Sequence, residues 1–285
     1  MNDSTIIREK LTLLNASGES IQIDVRYNEG RKNSPVIVIC HSFMAFKDWG
    51  FFPYIGEQLA RAGFVSVAFN FSLNGVVGHS HRITDFEKFE RNTFTDELGD
   101  LRCVLDMIAS GKIAQRFADT ERIAVLGHSR GGGIAIVQAS KDKRIRALVT
   151  WSSISTFDRW TDHQKARWRM LGYLPLAKDS AVSPLALGIR LLDDYEQHKS
   201  ELDILGAAKK IRAAWFILHG RADVTVHPSE AEKLFQAANH LSTELMIVDA
   251  VGHLYNAASR SENNYITLNS ILEFTTTFLH RHLLQ

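Results

Sequence analysis

The chain lacks any apolar run of the ~18 residues that a membrane-spanning helix needs, so no span is expected. Its first residues, Met1-Asn2-Asp3-Ser4, carry no basic segment followed by an apolar one, and no export signal is read there. Cysteine is scarce: Cys40 and Cys103 are the only two. They lack metal-ligand spacing, which argues against both a zinc site and a disulfide framework. Cys40 ends an apolar run and Cys103 falls on a helical stretch, so both read as small core residues. A reducing, cytoplasmic setting fits these features. Neither sign of charge dominates: 33 Lys and Arg face 32 Asp and Glu, for a formal net charge of +1. With no basic block, nothing in the charge supports a nucleic-acid partner. No repeat or low-complexity linker divides the 285 residues, so a single domain over 1–285 is expected.

From about residue 35 onward, strand and helix signals alternate. Residues 11–14 and 21–27 flank Asn15-Ala16-Ser17-Gly18 and read as an antiparallel hairpin at a sheet edge. The run 35–40 is short and continuously apolar, the mark of a strand buried on both faces. Strands are also predicted over 65–69, 123–126, 145–150, 214–218 and 244–248. Helices are predicted over 52–62, 94–109 and 229–239, with a closing helix over 262–282. The order implies an α/β fold: a mostly parallel central sheet with helices on both faces. Residues 152–212 break the alternation. The stretch is far longer than an ordinary connection and holds Phe157, Trp160 and Trp168. It reads as a small helical cap whose aromatics line a substrate pocket.

Gly127-His128-Ser129-Arg130-Gly131 joins an apolar strand to a helix. A serine there sits at the tip of a strained strand-to-helix turn, a nucleophile elbow. The helix N-terminus sets N–H groups and partial positive charge beside its oxygen. A serine nucleophile needs a base, and the base needs an orienting acid. Asp223 follows the strand 214–218, and His253 follows the strand 244–248. Asp223 would then hold the His253 ring, and His253 would take the Ser129 proton. Asp249 is the competing acid. His128 and His219 read as structural hydrogen-bonding residues. The oxyanion donors are expected to be the backbone N–H of Arg130 and that of Phe43, with Met44 the alternative in the loop 41–48.

The residues His41-Ser42-Phe43 with Lys47-Asp48, Phe69-Asn70-Phe71-Ser72, Gly127 to Gly132, His219-Gly220 with Asp223, and Gly252-His253 resemble those of the serine α/β-hydrolases. Within that superfamily they look like the dienelactone-hydrolase-like and prolyl-oligopeptidase-like esterases. Relatives often carry His-Gly where this chain has His41-Ser42, and dienelactone hydrolases proper use a cysteine nucleophile. The resemblance implies the α/β-hydrolase fold and cleavage of a small-molecule acyl bond with no metal and no organic cofactor. A small or medium carboxylic ester is the expected substrate. A thioester of coenzyme A or a small peptide amide would use the same groups. Four basic residues of the insertion, Arg159, Lys165, Arg167 and Arg169, are either a phosphate-binding set for such a thioester or a solvated face. A non-catalytic ligand-binding protein is the remaining class, and the complete Ser-Asp-His set argues against it. Oligomeric state is not readable from the sequence.

Overall fold

The computed structural model describes residues 5–78, 80–176, 185–257 and 265–284. A hairpin comes first, β1 (Ile6–Leu14) paired antiparallel with β2 (Ser20–Asn28). There follow β3 (Ser34–Cys40), α1 (Phe52–Arg61), β4 (Val65–Phe69), α2 (Phe86–Glu90), α3 (Phe94–Ala109), β5 (Ala118–His128), α4 (Arg130–Ala139) and β6 (Ile145–Trp151). Next come α5 (Asp162–Leu171), β7 (Tyr173–Pro175), β8 (Ala186–Gly188), α6 (Ile189–Gln197) and α7 (Ile204–Ala208). The last elements are β9 (Ala214–Gly220), α8 (Ser229–Ala237), β10 (Thr243–Val248) and α9 (Ile266–Leu283).

Among the described residues eight strands form one sheet in the order β1-β2-β4-β3-β5-β6-β9-β10. From β4 to β10 every neighbour is parallel; β1 and β2 add an antiparallel edge. The apolar runs explain the layering. Along β3, Val36, Val38 and Cys40 face one core with α3, α4 and α8. Ile37 and Ile39 face the other with α1 and α9. A strand sandwiched between two helical layers must be apolar on both faces. Helix α3 begins where the Thr93 side chain accepts the Asp96 N–H and Asp96 and Glu97 sit in its first turn, which satisfies orphan donors and complements the helix dipole.

The hairpin and the predicted strands and helices occur close to where the sequence places them. Three features were not predicted. Helix α2 is five residues long, too short for a periodic signal, and is started by Asp85 accepting the Lys88 N–H. The polar residues that open β5 pair with Ser34 and Pro35 across an irregularity in register. The small β7–β8 ribbon sits inside the insertion. Residues 177–184 of that insertion and residues 262–264 of the predicted closing helix lie outside the described residues. Among the described residues no helix is long and apolar enough to cross a membrane.

The insertion 152–212 leaves β6 and returns to β9. Its first part, with the β7–β8 ribbon, reaches the C-terminal ends of the strands, where Phe157, Trp160, Leu176 and Leu187 share a cavity with Ser129. Asp194 of α6 accepts the backbone N–H groups of Phe94 and Thr95, both at 3.1 Å. That anchors the insertion on the N-terminus of α3. Its last helix, α7, returns to the sheet layer, where Ile204 and Ala207 pack into the same core as α4 and α8.

Candidate active site

The turn between β5 and α4 is built for close approach. Ser129 adopts φ 56°, ψ −120°, a region that side-chain-bearing residues rarely occupy and that costs of order 1–3 kcal/mol. Its N–H is tied to Trp151 O at 2.9 Å, and Gly132 N–H returns to Ser129 O at 3.0 Å. A Cβ at Gly127 would collide with the Gly131 carbonyl, and one at Gly131 with the backbone of Cys40 and His41. Only glycine therefore lets the elbow pack against the end of β3.

Asp223 and His253 come from the turns after β9 and β10 and meet. His253 Nδ1–H donates to Asp223 Oδ2 at 2.7 Å. Asp223 Oδ1 accepts the N–H groups of Thr225 and Val226, both at 2.9 Å. His219, fully buried on β9, places Nε2 2.8 Å from Val226 O and 3.3 Å from Asp223 Oδ2. Both neighbours accept, so this nitrogen carries the proton. Burial pushes the Asp223 carboxyl up, but the donors from His219, His253 and Val226 outweigh it and hold it far below the usual carboxylate range. His128 donates Nε2–H to the His253 carbonyl at 3.0 Å. Burial, with His253 beside it, lowers the His128 pKa to about 3, so it stays neutral. His128 and His219 are thus the structural residues the sequence suggests. The competing acid, Asp249, is exposed and ion-paired to Arg221.

Two backbone donors in residues that share the cavity with Ser129 lack protein acceptors. The N–H of Arg130, first in α4, and that of Phe43 have no partner among the described residues. The Met44 N–H also lacks one, so the alternative stays open. Met44, with φ 59°, is the left-handed residue of this loop; Ser42 is not, so its backbone accepts a side chain without strain. His41 fixes the loop: Nδ1–H donates to Ser42 O at 2.9 Å and Nε2 accepts the Phe71 N–H at 3.2 Å. Asn70 accepts the Lys47 N–H at 2.8 Å. The motif residues after β3 and β4 therefore brace one another.

Ser129 and His253 open onto one cavity of about 440 Å³ with mostly apolar walls. Phe157 and Trp160 line it as expected. Trp168 does not reach it: it is fully buried behind Trp160, edge-to-face at 5.0 Å. A bulky indole on the inner face of α5 packs inward, and the aromatic content of the segment could not tell wall from backing. The sequence reading also missed the Arg130 side chain. Its guanidinium lies over the rings of Phe43 and Phe94, 4.9 and 4.6 Å from their centroids, and pairs with buried Glu97 at 2.8 Å. Burial pushes the Glu97 carboxyl up, opposed by Arg130. The available signal was Glu97 itself, a carboxylate on the buried stripe of α3. A larger depression of about 670 Å³, at the N-terminal ends of β6 and β9, holds none of these residues. Of the basic residues in the insertion, Arg159 pairs with Glu230, Lys165 with Asp158, and Arg169 with Asp193 and Glu196.

Solved structures share this architecture. The alpha/beta hydrolase GrgF from Penicillium sp. sh18 matches 98% of the chain and all of its own length, with TM-score 0.74 and 16% identity. Est1E from Butyrivibrio proteoclasticus, solved with ferulic acid bound, matches 96% of the chain and all of its own, with TM-score 0.73 and 16% identity. The fold is that of the α/β hydrolases. Among curated proteins, an uncharacterized Pseudomonas aeruginosa protein is 30% identical over 145 residues, 50% of this chain and 35% of its own. An uncharacterized 31.7 kDa Escherichia coli protein is 26% identical over 133 residues, 46% of this chain and 42% of its own. The matched stretch thus spans less than half the length of these curated relatives. The prolyl oligopeptidase family profile matches residues 51–282, a span that contains the elbow, both partner turns and most of the cavity walls; the chain belongs to the prolyl oligopeptidase family.

Proposed function

We propose that the protein is a serine hydrolase that cleaves a small or medium carboxylic ester through an acyl-enzyme. One observation carries the reading: His253, held by Asp223 at 2.7 Å, opens onto the same apolar cavity as the strained Ser129. Ser129 Oγ attacks the ester carbonyl carbon while His253 Nε2 takes its proton. The carbonyl oxygen becomes an oxyanion between the N–H groups of Arg130 and Phe43. The C–O bond to the alcohol breaks as His253 returns the proton to the leaving oxygen. Water, activated by the same histidine, then attacks the acyl-enzyme, releases the acid and restores Ser129. Every step uses only groups of the chain and water, with no metal or organic cofactor.

A thioester or a small peptide amide would pass through the same steps. The ester reading is preferred because the cavity walls are mostly apolar and because three of the four basic residues considered, Arg159, Lys165 and Arg169, pair with carboxylates rather than grouping for a phosphate-bearing carrier. Proteins of similar structure from Rhodothermus marinus and Pyrococcus furiosus are described as esterases. A cytoplasmic setting belongs to the same reading, with Cys40 and Cys103 as free thiols. The test is a panel of 4-nitrophenyl esters of rising acyl length, alongside acyl-CoA thioesters and aminoacyl amides. Ester turnover well above the other two, lost in Ser129→Ala, is expected. A preference for thioesters or amides would transfer the assignment, and no turnover of any class would leave a ligand-binding protein.

A further inference from the structure

The buried Arg130–Glu97 pair is unusual beside an apolar cavity whose wall includes Arg130. Arg130 is 8% exposed and Glu97 5%. Removing two charges from water costs several kcal/mol per ion, and a well-packed apolar pair would often serve stability as well. Helices α3 and α4 also share an apolar core, to which Leu101, Val104 and Ile134 belong.

The guanidinium is also incompletely used. It has five N–H donors. Nε donates to Glu97 Oε2 at 3.2 Å. Nη2 lies 2.8 Å from Glu97 Oε1 as an ion pair but without an aligned hydrogen bond. Nη1 has no acceptor among the described residues. Phe43 and Phe94 cover the flat faces of the group, and both rings line the cavity. The group that carries these donors lies over two rings that line the cavity, and Arg130 and Ser129 line the same cavity. Glu97 cannot turn to serve them, since it is held from behind by Asn92 Nδ2 at 2.8 Å. Nη2 is buried without a hydrogen bond, which is costly, and Nη1, which is not fully buried, is open to an oxygen brought by the ligand.

The geometry points to Arg130 as a specificity-determining residue, whose side chain binds a carbonyl or carboxylate oxygen carried by the acyl group of the substrate. This rests on the serine-hydrolase reading. The backbone N–H of Arg130 meets the scissile carbonyl, and its side chain, rooted on the same Cα, meets a second oxygen further along the acyl chain. The rest of the chain lies against Phe157 and Trp160. An all-alkyl acyl group of the same length would leave the guanidinium edge unmatched, and a site built to bond an oxygen rejects analogues that lack it.

The test uses 4-nitrophenyl esters whose acyl chains carry a ketone stepped along the chain, each compared with the alkyl chain of equal length. The leaving group is constant, so only the acyl part is read. In the wild type, kcat/KM for one ketone position exceeds its alkyl partner by about tenfold to a hundredfold, the range expected of a hydrogen bond to a charged group. In Arg130→Met that ratio falls to about one, measured within the variant so that any general loss cancels. In Glu97→Gln the preference moves toward chains ending in a carboxylate, because the counter-charge is gone. A wild-type ratio near one at every position, on an enzyme that turns over the alkyl esters, overturns the proposal and leaves the hydrolase reading intact. That ratio decides even if a variant fails to fold. If no ester is hydrolysed, calorimetry on Ser129→Ala with the matched keto and alkyl acids decides instead, and equal binding of the two overturns the proposal.

Discussion

Replacing Asp223 by asparagine would probe the site with almost no change in shape. Asp223 Oδ1 accepts two backbone N–H groups at 2.9 Å, from Thr225 and Val226. The asparagine oxygen must take that position, which turns its NH₂ toward His253 and His219. His253 Nδ1 can then only accept, so the ring's proton moves to Nε2, the nitrogen that must receive the Ser129 proton. The wrong tautomer at this position in a related triad costs about 10⁴ in rate, equivalent to about 5 kcal/mol in the barrier. The same NH₂ meets the Nε2–H of His219, 3.3 Å from Oδ2 in the native pair. Two opposed donors in a buried site cost about 1–3 kcal/mol of stability. The assay is kcat and KM on a 4-nitrophenyl ester, with urea unfolding of the same preparation. Asp223→Asn should lose about four decades of kcat with little change in KM, and a measurable part of its stability. Asp249→Asn, which breaks only an exposed ion pair, should change neither by much. A folded Asp223→Asn enzyme within tenfold of the wild type would refute the reasoning.

Two further outcomes follow from burial. His128 is kept neutral in the fold, its pKa lowered to about 3 from 6.5, chiefly by desolvation. Between those values the unfolded chain binds the extra proton, so the stability this residue contributes is complete above about pH 6.5 and is lost as pH falls. His128→Asn should therefore gain on the wild type by about 1 kcal/mol per pH unit between about pH 6 and pH 4. Urea midpoints across that range check it, and a difference independent of pH would contradict the buried neutral histidine. Trp160 lines the cavity and Trp168 lies fully buried behind it. Trp160→Ala should shift the preferred acyl length with modest loss of stability, whereas Trp168→Ala should cost about 3–5 kcal/mol of stability. An acyl-length series together with thermal melts separates the two, and the reverse pattern would show that the cavity wall has been misread.

The parallel strands were legible because burial on both faces leaves no alternation to confuse: 35–40 is apolar throughout, 65–69 is apolar but for Ser66, and they become β3 and β4. Helix α3 was legible from its periodic stripe. The elbow, Asp223 and His253 were legible because a parallel sheet gathers strand ends in a fixed order. What could not be read depends on contacts between distant segments. Trp160 lies just before α5 and Trp168 on the buried side of it, and only the docking of α5 decides which of them reaches the cavity. The pairing of Arg130 with Glu97, and of His219 with Asp223, arises where α3 meets α4 and where β9 turns. In each case one partner gave a signal, a charged or polar residue in an apolar stretch, but the sequence did not name the other.

The most direct test of the central claim is to treat the protein with a fluorophosphonate and find the modified residue by peptide mass spectrometry. A serine made nucleophilic by His253 and Asp223 should be labelled stoichiometrically at Ser129, with the label abolished in His253→Ala and ester turnover lost in parallel. Turnover that persists while Ser129 stays unlabelled, or a label on any other residue, would contradict it.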